Sequence, residues 1–395
     1  MPRPMTAAPD RLFTRAFVAV FSAALFFFVS AGMVLPVAPR FAIDQLGADA
    51  LAFGLAMGVF SLASLVVRPI VGWSADQFGR RPLLVGGSLL TAVALLLHLG
   101  ATDLSVFIAA RAILGVGEAA FLVAALAAGG DLAPARRTGE ALSQLSLSIY
   151  LGVAAGPVIA EALLGAGGFA AVWVGAAALA AVAAGLAWFA PETRPSTPRG
   201  DGVPRARLFH PRGVFPGVLL LCGTFGMAAF LTFVPLNAVA LGLDGAGAAL
   251  AVFGLVVVLL RLFGATLPDR VGPQRLTGAA LVATTIGLLL IGILPGLAGL
   301  LAGTAVFAAG VALSLPAVMA LAVGRAAAAE RGSVVGTASV FLDLSFGLAP
   351  VILAPIAVAA GYPAVFLASA AVAGTGVVVL LVVRTSGAAS AEAAR

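Results

Sequence analysis

The sequence predicts an all-α polytopic membrane protein of twelve transmembrane helices, arranged as two six-helix pseudo-repeated bundles. Three observations predict it. Of 395 residues, 62% are hydrophobic and only 10% charged, with mean hydropathy +1.15, whereas soluble domains carry about a quarter charged residues. The apolar stretches divide into twelve spans of roughly 18 to 27 residues, each long enough for a bilayer core of ~30 Å. The second half, slid by 193 residues, also matches the first: Arg68 meets Arg261, Asp76 meets Asp269, Gly79 meets Gly272, Gly139 meets Gly332 and Pro157 meets Pro350. Five coincidences at one offset, including Arg and Asp eight apart in both halves, read as duplication of a six-helix unit.

The first span, 16–39, follows Arg3, Arg11 and Arg15. Its apolar part is too long for a cleaved leader, whose apolar core runs about 7–15 residues, so it reads as an uncleaved helix. Spans 50–72 and 82–100 flank a short charged turn holding Gly72, Asp76, Gly79, Arg80, Arg81 and Pro82. Spans 104–130, 138–163 and 169–190 complete the first bundle, residues 1–190. A stretch rich in Pro, Arg and Gly, 191–212, interrupts the hydrophobicity and reads as a cytoplasmic linker. The second bundle, 213–395, repeats the count with spans 213–240, 247–267, 276–294, 297–324, 333–358 and 362–383.

Orientation follows from arginine, since the chain has no lysine. Eighteen of its 22 arginines fall in the termini, the linker and the loops on one side of the spans, and only Arg40 falls on the other. Cytoplasmic loops concentrate positive charge, so both termini and the linker are expected in the cytoplasm of a cell membrane. This also explains a pI near 11 without nucleic acid: the arginines sit in short loops, with no aromatic-interleaved basic patch, and suit topology and anionic lipid. Cys222 is the one cysteine, which excludes an internal disulfide and a cysteine metal cluster; it reads as a small packing residue. His98 and His210 have no ligand partners at metal spacing and read as boundary or surface residues. No nucleotide loop, nucleophile elbow or zincin motif is present, so neither enzyme chemistry nor a cofactor or metal is expected.

The turn at 72–81 resembles the loop signature G-x-x-x-D-x-x-G-R-[RK] of the major facilitator superfamily and matches every fixed position. Arg111 to Gly115 in the fourth span fits a second motif. Gly152, Gly156 and Pro157 in the fifth resemble the motif of the superfamily's twelve-helix drug/proton antiporter branch, although that motif continues with glycines where this chain has Ala160 and Glu161. The second-half copy of the loop motif keeps Asp269 and Gly272 but has Pro273 and Gln274 for the arginine pair. The resemblance implies the major facilitator fold and a conformational latch. In that latch, Asp76 caps the start of the eleventh span near 333–337, where unpaired N–H groups favour an anion, while Arg80 and Arg81 reach Asp131; arginines that only fix topology, beside an ordinary turn aspartate, are the other reading.

Arg111 lies about 12 Å along its span from the extracytoplasmic end, at ~1.5 Å per residue, too deep to snorkel from a lipid face. The resemblance gives it a part in proton coupling; a structural arginine bonded to backbone carbonyls of a neighbouring helix is the other reading. Glu118, seven residues on, lies on the same helix face about 10.5 Å deeper. It is the first choice for a proton carrier, because a carboxylate whose surroundings alternate between dry and wet can alternate between neutral and charged. A permanently protonated or paired structural glutamate is its alternative. Asp343, also near mid-membrane, is the second choice, and Tyr150 is its repeat-related position. Glu161 reads as a partly solvated wall residue, with a coupling role as the alternative. Arg68 and Arg261 are expected to snorkel or to pair within the cytoplasmic turns.

By resemblance the substrate cavity is lined by the first, fourth, seventh and tenth spans, which contribute Phe21, Phe28, Phe121, Phe225, Phe230 and Phe307 with few polar groups, chiefly Asn237 and Ser314. Such a lining suits a lipophilic ligand. The expected function is thus secondary active transport by alternating access: proton-coupled efflux of lipophilic small molecules or drugs by a monomer in the lipid bilayer. The alternatives are a metabolite uniporter or symporter acting as an importer on the same fold, and a membrane sensor that keeps the fold without transport.

Overall fold

The computed structural model describes residues 12–134, 137–193, 210–263, 267–324 and 331–393, and every regular element among them is helical. In chain order these are α1 (Arg15–Asp44), α2 (Ala50–Phe78), α3 (Arg80–Leu97), α4 (Leu104–Leu132), α5 (Thr138–Trp188), α6 (Pro211–Ala240), α7 (Gly247–Phe263), α8 (Leu267–Val271), α9 (Pro273–Ile293), α10 (Leu297–Gly324) and α11 (Arg331–Ala393). Most of the expected linker, 194–209, lies outside the described residues.

Among the described residues nine helices are long and apolar enough to cross a membrane, with Gly247–Phe263 a shorter tenth. Two of the nine are too long for one crossing. α5 has 51 residues, ~75 Å at 1.5 Å each, and it reverses at Gly167 and Gly168, where φ is −151° and +66°. α11 reverses likewise at Gly361, φ +78°. With two arms each, 138–166 and 169–188, then 331–360 and 362–393, the described residues accommodate twelve crossings.

Helix starts follow the sequence. The side chains of Thr14, Asp49 and Asp103 accept from the first-turn N–H groups of α1, α2 and α4, supplying partners those groups lack within the helix. α2 runs past its expected end at 72 to Phe78. Residues 73–78 keep helical hydrogen bonding, and the chain turns only at Gly79, whose φ of +101° is open to glycine and costly for other residues.

α1 to α5 pack together, as do α6, α7, α9, α10 and α11. Small residues set the closest approaches. A Cβ on Gly152 would strike the Phe28 backbone, and one on Gly156 the backbone of Gly32, so α1 and the first arm of α5 touch main chain to main chain. The two groups meet along α2 with α11, α5 with α7, and α1 with α6. Gly58 abuts the Gly347 carbonyl and Gly254 abuts Ala154. Outward faces stay apolar: Leu89, Val93, Leu96 and Leu97 on α3, and Leu255, Leu259, Leu262 and Phe263 on α7, are exposed, as side chains facing lipid must be.

His98 departs from the surface or boundary position expected of it. The 3-10 turn His98–Gly100 after α3 tucks the ring inward, 1% exposed, with Nδ1 2.7 Å from the Ala94 carbonyl. Phe107 and Trp173 enclose it at ring separations of 5.2 and 4.7 Å. Cys222 is buried in α6.

Candidate functional site

A cavity of about 350 Å³ opens between the two groups of helices, lined from α1 to α6 and from α10 and α11. Its walls are mainly apolar, with Phe27, Phe28, Phe60, Met57, Met227 and Phe346 among them. Four arginine or carboxylate side chains interrupt this lining: Arg68, Arg111, Glu118 and Asp343.

Three of the four form one chain of contacts. Glu118 is the central residue of the 29 in α4, and its Oε2 accepts from the Ser64 hydroxyl at 3.1 Å. Ser64 in turn accepts from Arg68 Nη2 at 3.4 Å. Arg68 Nη1 reaches Asp343 Oδ2 at 2.9 Å. Ser64 and Arg68 are one turn apart on α2, so their side chains stack on the same face, between α4 on one side and α11 on the other. The chain therefore runs from a carboxylate in the first bundle to a carboxylate in the second, and a change of charge at either is felt at the contact between bundles.

The two carboxylates are those singled out from the sequence, and the link between them is not. Arg68 was expected near a turn, snorkelling or paired there; instead it crosses to Asp343. Arg261 makes the matching move: its Nη2 donates to the Tyr150 hydroxyl at 2.8 Å, with Cζ 4.9 Å from the centre of that ring. Arg68 with Asp343 and Arg261 with Tyr150 occupy equivalent places at the offset of 193 residues. That offset was the available signal, since it kept an arginine in both halves eight residues before the aspartate of the turn. Burial explains the outcome: a guanidinium this far from the turn gains more from a partner across the interface than from lipid.

Arg111 is 8% exposed, and its Nε and Nη2 donate to the carbonyls of Ala56 and Met57, each at 3.3 Å, with the Phe60 ring 5.1 Å from Cζ. These are the backbone contacts of the structural alternative, made on the cavity wall. Glu118 takes its hydrogen bond from Ser64 rather than from Arg111.

At the turn, Arg80 Nε donates to Asp131 Oδ2 at 3.1 Å and Nη1 to the Ala75 carbonyl at 2.6 Å. Arg81 does not follow it to Asp131: its guanidinium lies 4.7 Å over the Trp188 ring, because residues 80 and 81 leave the helix start in different directions. Glu192, unremarked in the sequence, completes the turn. Its two carboxylate oxygens accept from the backbone N–H of Arg80 at 2.8 Å and of Arg81 at 3.2 Å, and Gly79 sits so close that a Cβ there would strike this carboxylate. The side chains of Asp76, Asp269 and Ser333 lie outside the described residues, and with them the expected cap between Asp76 and 333–337. Gly72 lies within α2, with open space around its Cα.

Gly152 and Gly156 serve the α1 contact described above, and Pro157 lies in the same arm of α5. Of the residues expected to meet substrate, Phe28 lines the cavity. Phe121 stacks on Phe27 at 4.0 Å instead. Phe230 and Phe307 pack with Phe253 at 5.1 to 5.8 Å, all three fully buried. Asn237 is 3% exposed near the end of α6. These four are absent from the lining because rings in a tightly packed bundle satisfy one another first. The polar lining comes instead from Ser61, Ser64, Thr91, Tyr150, Thr224 and Thr232.

Comparison with known proteins agrees with this architecture. The sequence profile described as Major Facilitator Superfamily matches residues 20–277 and again 217–395. An uncharacterized MFS-type transporter of Burkholderia mallei is 30% identical over 376 residues, 92% of this chain and 91% of that protein. Among solved structures, a bacterial homolog of the human lysosomal transporter Spinster superposes with TM-score 0.77 at 15% identity, over 95% of this chain and 97% of the other. A nucleoside transporter superposes with TM-score 0.75 at 14% identity, over 93% and 99%. With the profile spanning nearly the whole sequence, the chain belongs to the Major Facilitator Superfamily and is a multi-pass membrane transporter.

Proposed function

We propose that this transporter is a proton-coupled exporter of lipophilic small molecules, a monomer of the cell membrane with both termini in the cytoplasm, working by alternating access. The observation that carries the proposal is the Glu118–Ser64–Arg68–Asp343 chain in an otherwise apolar cavity. A proton taken by Asp343 removes the charge that holds Arg68, which loosens α2 from α11. A proton taken by Glu118 removes the pull on Ser64 and Arg68 from the other side. Proton occupancy and bundle contact are thus linked through one guanidinium. The apolar walls select the cargo by burial rather than by many hydrogen bonds. One inward proton releases about 2.3 kcal/mol per 100 mV, enough for roughly fifty-fold accumulation of a neutral substrate outside.

Purified protein in liposomes, with a pH gradient imposed and a lipophilic fluorescent compound as cargo, tests this. Cargo movement is expected to follow the gradient and to collapse with a protonophore, and Glu118→Gln is expected to reduce driven movement at least tenfold. Movement indifferent to the gradient and unchanged in Glu118→Gln would sink proton coupling and favour the uniporter reading.

A further inference from the structure

Glu161 stands where the antiporter motif continues with glycine, and the departure falls on the contact between the bundles. It lies near the end of the first arm of α5, before the reversal at Gly167 and Gly168. Its Oε1 accepts a 2.8 Å hydrogen bond from the backbone N–H of Gly247, 86 residues away. Gly247 is the first residue of α7, and the leading N–H groups of a helix lack intrahelical partners and favour an anion. A Cβ on Gly245 or on Gly247 would strike the Glu161 carboxylate, so glycine at both places lets the two segments close on it. The seam continues through Ala154 against Gly254 to Tyr150 beneath Arg261.

The repeat supplies an internal contrast. At the offset of 193 residues, Gly247 corresponds to Gly54 and Glu161 to Ala354. Gly54 packs against the backbone of Pro350 and Val351. One seam between bundles is therefore closed by main-chain packing at this level, and the other by a carboxylate on a helix start.

We propose that Glu161 is a latch that holds the two bundles together at the end of the molecule opposite the Gly79 turn and must release Gly247 before that end opens. It performs there, with a glutamate of α5 on the start of α7, the task that the family signature assigns to Asp76 at the other end. The purpose of the latch rests on the alternating-access reading; its existence is a property of the closed-to-open equilibrium and is measurable without transport.

Spin labels at Thr102→Cys and Pro295→Cys, exposed positions of the loops before α4 and α10, report that equilibrium as a distance distribution in lipid nanodiscs, in a Cys222→Ser background. Glu161→Ala and Gly247→Ala are each expected to raise the open-to-closed ratio about tenfold, the scale of a lost charge-assisted hydrogen bond. Both changes together are expected to add nothing beyond Glu161→Ala alone, because they break the same contact. Glu161→Gln, close to isosteric, keeps an acceptor oxygen without the charge; it is expected to shift the ratio less, in the same direction, and carries the test should the alanine variant fail to fold. Unchanged distances in Glu161→Ala or, in its place, Glu161→Gln, or independent additive shifts from the two sites, overturn the latch. Flux with unchanged distances removes the latch alone, whereas shifted distances in a protein that moves no cargo leave the latch standing and remove the transport reading.

Discussion

Arg68 is the residue on which both bundles converge, and its energetics can be separated from its role in coupling. Its ion pair with Asp343 leaves the two side chains 28% and 11% exposed. Breaking a fully buried pair costs ~3–5 kcal/mol, because the surviving charge is left without a partner; partial access to the cavity reduces this to about 1–2 kcal/mol. Asp343→Asn should lower the midpoint of thermal unfolding in detergent by several degrees. Adding Arg68→Gln should recover most of that loss, since the stranded cation is gone, while driven transport stays abolished. A double variant as unstable as the sum of its parts would show that the two residues do not act as a pair. Neither the pair nor the Ser64 bridge was legible in the sequence. Glu118 and Asp343 were, because a carboxylate at the middle of an apolar span has few structural uses. Partner choice across an interface leaves no local pattern, and Arg68 taken alone fits snorkelling equally well.

At the scale of helices, glycine placement decides which faces close. The adjacent pair Gly86 and Gly87 on α3 separates packing from propensity. A Cβ on Gly86 meets open space, whereas one on Gly87 would lie 2.7 Å from the Phe121 backbone nitrogen and 2.8 Å from the Gly117 carbonyl. Gly87→Leu should therefore push α3 off α4, costing ~1–3 kcal/mol or more by overpacking, while Gly86→Leu should stay within about 0.5 kcal/mol of wild type. Fluorescence-detected gel filtration after a heating series reads both. Equal losses would mean that the glycines matter for flexibility and not for contact. The spans themselves were legible nearly to their ends, because membrane-length apolar runs admit few alternatives. The overshoot of α2 to Phe78 was not: polar residues continue a helix as readily as they form a turn, and only Gly79 marks the stop. The aromatic residues misled for a related reason. Phe121, Phe230 and Phe307 lie on cavity-facing spans by family pattern, yet which ring meets a ligand and which meets another ring is settled by neighbours on other helices.

For the molecule as a whole, the duplication visible in the sequence is preserved in the contacts but broken in their chemistry. Arg68 meets a carboxylate across one seam, and Arg261 meets a phenol at the equivalent place across the other. Protonation of Asp343 would cost the first link its ion pair. The second, a charge-assisted hydrogen bond from the Arg261 guanidinium to a neutral phenol, has no carboxylate to neutralise. Two proton-sensitive seams would tend to hold both sides at once, whereas one of each kind lets a single seam respond. If that asymmetry matters, restoring the symmetry should be harmful to turnover and should add an ion pair across the second seam. Tyr150→Asp puts a carboxylate where the repeat has Asp343, and Asp343 shows that an aspartate at that register reaches its arginine at 2.9 Å. The loss of the buried ring is matched by Tyr150→Ala; against that reference Tyr150→Asp should gain a partly buried ion pair worth about 1 kcal/mol, raising the unfolding midpoint by a few degrees above that of Tyr150→Ala while slowing transport several-fold relative to wild type. Tyr150→Phe keeps the ring beneath Arg261 and loses only the 2.8 Å hydrogen bond. Its donor is charged, so the change should cost ~1.5–3 kcal/mol and leave the proton dependence of transport unchanged. A Tyr150→Asp protein that is no more stable than Tyr150→Ala, or that transports faster than wild type, would show that the two seams are not equivalent in geometry and that the difference between them is an accident of divergence.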